Sequence, residues 1–133
     1  MNMIKASMGR EIVIKTLNDI GVIAEVTKCL SERGISILAI SAWVEGPHGI
    51  IHLVTNDNLR AMDCLHSKFQ PRESAVITVE VAHRPGMLRS IAELLREQGI
   101  DIHHLYASAI PDQEKCLVVF SSSYNDRALL ALR

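Results

Sequence analysis

Aromatic residues are scarce: Trp43, Phe69, Tyr106, Phe120 and Tyr124 are the five in a chain of 133. They form no cluster on the two central strands, which excludes the aromatic platform on which an RNA-recognition domain stacks bases. An excess of one charge is missing too. Fourteen basic residues face fifteen acidic ones, a net charge of -1 that gives no footprint for nucleic acid or an anionic membrane. The three cysteines, Cys29, Cys64 and Cys116, are odd in number and far apart. They exclude a disulfide framework and read as small core hydrophobes of a reducing compartment. No apolar run approaches the ~18–20 residues of a membrane span, and "MNMIKASMGR" lacks the apolar stretch of ~7–15 residues that a secretory signal requires. A soluble, cytoplasmic protein is expected.

Catalytic and cofactor motifs are equally absent. There is no Gly-x-Ser-x-Gly elbow, no Gly-x-Gly-x-x-Gly or Walker loop, no His-Glu-x-x-His and no Cys-x-x-Cys. With no nucleophile, base and orienting group in evident combination, the expectation is a protein that is not an enzyme and takes no cofactor.

What is present is material for a core, and a repeat. Apolar residues make up 48% of the chain and charged residues 22%, a globular balance. A shift of 65 lays the sequence over itself without a gap. "NDIGVIAEVTKCLSERGISI" (18 to 37) then covers "HRPGMLRSIAELLREQGIDI" (83 to 102), pairing Gly21 with Gly86, Leu30 with Leu95, Gly34 with Gly99 and Ile37 with Ile102. Further on, Val54 falls on Val119 and "TNDNLRAMDCL" on "FSSSYNDRALL". Duplication is the economical explanation.

Each half reads as strand, helix, strand, strand, helix. "IVIKTL" (12 to 17) and "AVITVEVA" (75 to 82) alternate at period two, as half-buried strands do. Val22, Ile23, Val26, Cys29 and Leu30, and their counterparts Met87, Leu88, Ile91, Leu94 and Leu95, give amphipathic helices that lie on a sheet. Gly34 and Gly99 end them. "ISILAISAWV" and "IIHLVT", or "IDIHHLYASAI" and "CLVVFS", supply two more strands. Asn56 or Asp57, and Asn125 or Asp126, are candidate caps of a closing helix. "RESAV" (72 to 76) can give the first half a fourth strand, whereas the second half shows no evident last strand and leaves an edge to be covered. The reading is α+β: two ferredoxin-like units, each an antiparallel sheet with two helices on one face. The boundaries are an N-terminal extension at 1–10 and units at 11–74 and 75–133.

The turns that enter the first helix of each half are the candidate sites. A helix start offers unpaired N–H groups and a favourable dipole to a carboxylate. Asn18 and Asp19 add acceptors for an ammonium group, and His83 and Arg84 add donors for a carboxylate. The same residues also read as plain helix entries, with Asn18 or Asp19 capping and Pro85 at a first-turn position. The histidines do not read as a metal site: His48 and His52 straddle a turn, and His103 and His104 point to opposite faces of a strand. Ser121, Ser122 and Ser123 read as a loop and cap, and Glu93 and Glu97, beside Arg89 and Arg96, as a solvated helix face.

Strand, then "N-x-x-G" or "HRPGML", then a helix closed by "ERGISI" or "EQGIDI", then two strands and a helix, resembles the ACT domain over about residues 11 to 68 and 76 to 133. "DRALLAL" is similar to the regulatory end of aspartokinases. The resemblance implies units that pair side by side and a small regulatory protein that binds an amino acid at a unit or subunit interface, acting by ligand-linked association as a homo-oligomer such as a dimer. A metabolic enzyme is a possible partner. The alternative it implies is a structural module that recruits an enzyme or transcription factor without a ligand. Carried over residue by residue, the ligand-binding positions are Asn18, Asp19, Ile20, Gly21, Val22 and Ile23, and then His83, Arg84, Pro85, Gly86, Met87 and Leu88. His83 stands where the first half has Asn18, so the two turns are not expected to bind alike.

Overall fold

β-branched runs and amphipathic stripes become strands and helices in the expected order. The structure, a computed structural model, describes residues 3–133. Its elements are β1 (Met3–Leu17), α1 (Val22–Glu32), β2 (Ile37–Glu45), β3 (His48–Thr55), α2 (Asn58–Leu65), β4 (Arg72–Ala82), α3 (Met87–Glu97), β5 (Ile102–Ser108), β6 (Lys115–Ser122) and α4 (Asn125–Leu132). The chain divides into two compact units: Arg10–Ser74, and Ala75–Arg133 together with residues 3–9.

In the first unit the strand order is β2-β3-β1, with antiparallel pairing throughout. Ile12 lies opposite Leu53 and Ile14 opposite Ile51. Opposed residues share a face, so these four make one apolar surface. Val26 and Leu30 of α1, Ala61, Cys64 and Leu65 of α2, and Phe69 cover it. Each large aliphatic side chain buried there contributes about 1.5–3 kcal/mol against exposure.

The second unit repeats the plan in the order β5-β6-β4. Ile77 faces Phe120 and Val79 faces Val118, and Ile91, Leu95, Ala128 and Leu132 pack over them. Gly34 and Gly99 end α1 and α3 with φ of +69° each. The next residue's N–H reaches back in both, Ile35 to Leu30 O at 3.0 Å and Ile100 to Leu95 O at 2.9 Å. Ile35 and Ile100 are thereby delivered to the two cores.

Three features differ from the sequence reading. Residues 3–9, read as part of an extension, are the first part of β1 and belong with Ala75–Arg133. β1 lies beside β4, so these residues supply the strand that the second unit lacked. Ala6 packs on its core, and Gly9 sits so close that an added Cβ would stand 3.0 Å from Thr78 Cγ2. In return β4 begins in the first unit as Arg72, Glu73 and Ser74, where Arg10 Nε meets Glu73 Oε2 at 3.3 Å.

The second difference is register between the copies. β2 and β5 begin 65 residues apart, but β3 and β6, and likewise α2 and α4, begin 67 apart. The β5–β6 connection absorbs the extra length, so Asn58 corresponds to Asn125 and Val54 to Ser121, not to Val119. Third, the closing helices start differently. Asp57 caps α2 and accepts from Arg60 N at 3.2 Å, while Tyr124 precedes α4 with no side-chain cap.

Candidate functional site

The turn after β1 is shaped by its neighbours before any ligand is considered. Asn18 N donates to Pro47 O at 2.9 Å, tying the turn to the β2–β3 hairpin. Val22 N donates to Asp19 O at 3.2 Å, and Gly21 N reaches Asp19 Oδ1 at 3.5 Å. Gly21 stands at the N-cap position and no side chain caps α1. The Asp19 carboxylate is therefore held across the helix entry without closing it.

Between this turn and the hairpin lies a cleft of about 210 Å³. Asn18 and Asp19 form its polar rim, and Val22, Ile23, Ala42, Val44, Ile50 and Ile51 supply apolar walls. Gly49 keeps the floor open where Asn18 Oδ1 comes within 3.8 Å of the position a Cβ would take. Trp43 completes the lining. Its ring stacks on His52 with centroids 5.2 Å apart, and its Nε1–H donates to Glu45 Oε2 at 3.3 Å. His52 Nδ1 in turn lies 2.8 Å from Oε1 of Glu11, which is 2% exposed. A carboxyl so deep in a fold requires such a partner. The pair fixes the ring on which Trp43 rests.

The first six candidates separate on this geometry. Asn18, Asp19, Val22 and Ile23 line the cleft. Ile20 is fully exposed and, with Gly21, lies outside the lining. The six lining residues of β2 and β3, from Ala42 to Ile51, carry no local motif. Their signal is the pairing itself, in which Ala42 opposes Ile51, Trp43 opposes Ile50 and Val44 opposes Gly49.

The second turn is built otherwise. His83 N donates to Glu114 O at 2.7 Å, and His83 Nδ1 lies 3.2 Å from Gln113 O, so the longer β5–β6 connection holds the histidine. Gly86 takes φ +90°, which a side chain would strain, and Ser90 Oγ donates to its carbonyl at 2.9 Å. Met87 is a core residue packed with Ile91 and Leu95, while Arg84, Pro85 and Leu88 are exposed.

The other sequence candidates have structural roles. Ser122 Oγ donates to Asn125 Oδ1, Ser123 Oγ accepts from Asp101 N, and Arg89 Nε meets Glu93 at 3.0 Å. Among the described residues, no group of three or more His, Cys, Asp or Glu is arranged to hold a metal ion. No helix among them is long and apolar enough to cross a membrane.

Neither a family model nor a curated protein matches the sequence. Solved structures do match. A protein from Bacteroides thetaiotaomicron superposes with a TM-score of 0.87 at 23% identity, covering 96% of this chain and 88% of that one. The regulatory subunit of aspartate kinase from Thermus thermophilus, in a ligand-free form, superposes at 0.68 with 17% identity over 99% of this chain and 97% of that one. Its counterpart from Thermus flavus gives 0.60 and 16%, with the same coverage.

The chain has the tandem ACT fold. The superpositions run over nearly the full length of those regulatory subunits. At these identities the likeness carries the fold. The cleft at Asn18 is an observation on the first ACT unit of this chain alone.

Proposed function

We propose that the protein is a non-catalytic regulator that binds a free amino acid in the Asn18 cleft of its first ACT unit. One observation carries the reading: a polar rim, an uncapped helix start and apolar walls converge on a space of about 210 Å³. Pockets for drug-sized ligands run to about 300–1,000 Å³, so this one suits a molecule of amino-acid size. Asp19 and the Asn18 carbonyl oxygen would accept from the ammonium group. The N–H groups opening α1 would receive the carboxylate, and Val22, Ile23 and Val44 would take the side chain. Similarity of fold to aspartate kinase regulatory subunits supports a regulatory role.

The output is linkage: a ligand that prefers one arrangement of the protein shifts the population toward it, and a partner reads the arrangement. Isothermal calorimetry against the twenty amino acids tests this. One or a few should bind, with Asn18→Ala weakening affinity at least tenfold and Arg84→Ala leaving it unchanged. Twenty flat titrations would refute the reading. A fixed oligomer by size-exclusion chromatography, with those flat titrations, would support the ligand-independent assembly module instead. Exposed Leu17 and Ile20 on either side of Asn18 and Asp19 in sequence, and exposed Val44 in the cleft lining, favour that second reading.

A further inference from the structure

Away from the Asn18 cleft, the first unit brings its two cysteines together. Cys29 lies on α1 and Cys64 on α2, 35 residues apart in sequence. Cys29 Sγ–H donates to Cys64 O at 3.1 Å, and Cys29 is near enough to act on the Cys64 thiol. Both are free, Cys64 buried and Cys29 half-buried. They line a cleft of about 460 Å³ between the helices, together with Lys28, Arg33 and Lys68 and with Glu25 and Glu32. One sulfur is therefore open to a small reagent and the other waits behind it.

We propose that Cys29 and Cys64 are a redox-responsive pair, converted to an α1–α2 disulfide by exchange with a small disulfide such as oxidised glutathione. The Cys29 thiolate attacks one sulfur of the incoming disulfide and expels the first glutathione thiolate. Cys64, as thiolate, then attacks Cys29 Sγ in the mixed disulfide and expels the second. Two protein thiols become one disulfide, and one oxidised glutathione becomes two reduced molecules. Burial first, then the hydrogen bond and charge of Cys29, push the Cys64 thiol up to about 11. Capping Cys29 removes the last two of those causes, while burial, the largest, remains. Cys116 belongs to the other unit, on β6 opposite Val81, and serves as the internal control.

Full-length protein is equilibrated with glutathione buffers of rising oxidised fraction, blocked by alkylation and weighed intact. Tryptic peptides are then mapped without reduction. Lys28 and Arg33 bracket one cysteine and Arg60 and Lys68 the other, so the linked peptides are distinct. The expected product is a monomer two hydrogen atoms lighter than the reduced chain bearing a single alkyl group, with the Cys29 peptide joined to the Cys64 peptide and that alkyl group on Cys116. Cys116→Ser should behave as wild type. Cys64→Ser should stop at a glutathione adduct on Cys29. The oxidised wild type should unfold at higher urea concentration than the reduced form. Bridges that include Cys116, bridges between chains, or wild-type protein that yields only adducts or free thiols would overturn the proposal.

Discussion

Single side chains tie the elements together at matching points. Asn58 accepts from Thr55 N at 3.2 Å and Thr55 Oγ1 at 2.6 Å, and donates to Arg10 O at 2.9 Å. Asn125 does the same with Ser122 N at 3.0 Å, Ser122 Oγ at 2.8 Å and Ala75 O at 3.1 Å. Each amide pins a helix start to its unit's first strand and satisfies a backbone carbonyl there. Asn58→Ala or Asn125→Ala should cost about 1–3 kcal/mol, read from urea unfolding, because the partners lose bonds that truncation does not replace. Cys64 carries a pH signature. Its thiol ordinarily ionises near 9.0 and is raised to about 11, chiefly by burial, so the folded state holds the proton more tightly than the unfolded chain. Its contribution is complete below pH 9 and is lost as pH rises from there towards 11. Urea midpoints of the reduced protein across that window should fall more steeply for wild type than for Cys64→Ser.

Among elements, the first part of β1 is the informative case. Residues 3–9, "MIKASMG", show no β-branched alternation and end in glycine, so no strand signal exists in them. They are extended because β4 offers an edge. Gly9 is there because of close approach: Gly9→Val would place a branched side chain against Thr78 Cγ2 and should cost about 1–3 kcal/mol by overpacking. Hydrogen exchange should show protection lost in β4, β5 and β6 more than in β2 and β3. The helices and the other strands were legible from period alone, and Gly34 and Gly99 marked their helix ends. The two-residue slip between the copies was not. An even slip leaves every strand residue on its proper face, so the apolar pattern of β6 matches β3 equally well at 65 or 67. Asn18, Asp19, Val22 and Ile23 were legible as a helix entry, but Trp43 and Gly49 reach the cleft only through strand pairing, which no local pattern encodes.

For the molecule as a whole, duplication has given two units of one plan with different entries. Neither helix start carries a side-chain cap, but the first stands above a cleft, whereas the second spends His83 on its own hairpin connection and Met87 on the core. A ligand that occupies the first unit at a hundred times its dissociation constant adds about 2.7 kcal/mol to stability. Thermal unfolding with the calorimetric hit should show that gain in wild type and no more than about 1.4 kcal/mol in Asn18→Ala. The exchange of strand segments also sets an order in time. Residues 3–9 leave the ribosome before β4, the strand they lie beside, which is synthesised some 65 residues later, and Arg10–Ser74 is complete by then. At roughly 5–20 residues per second that is an interval of several seconds. During it the opening segment is an unpaired strand attached to a finished neighbour, and the nascent protein is most exposed to mispairing before β4 emerges.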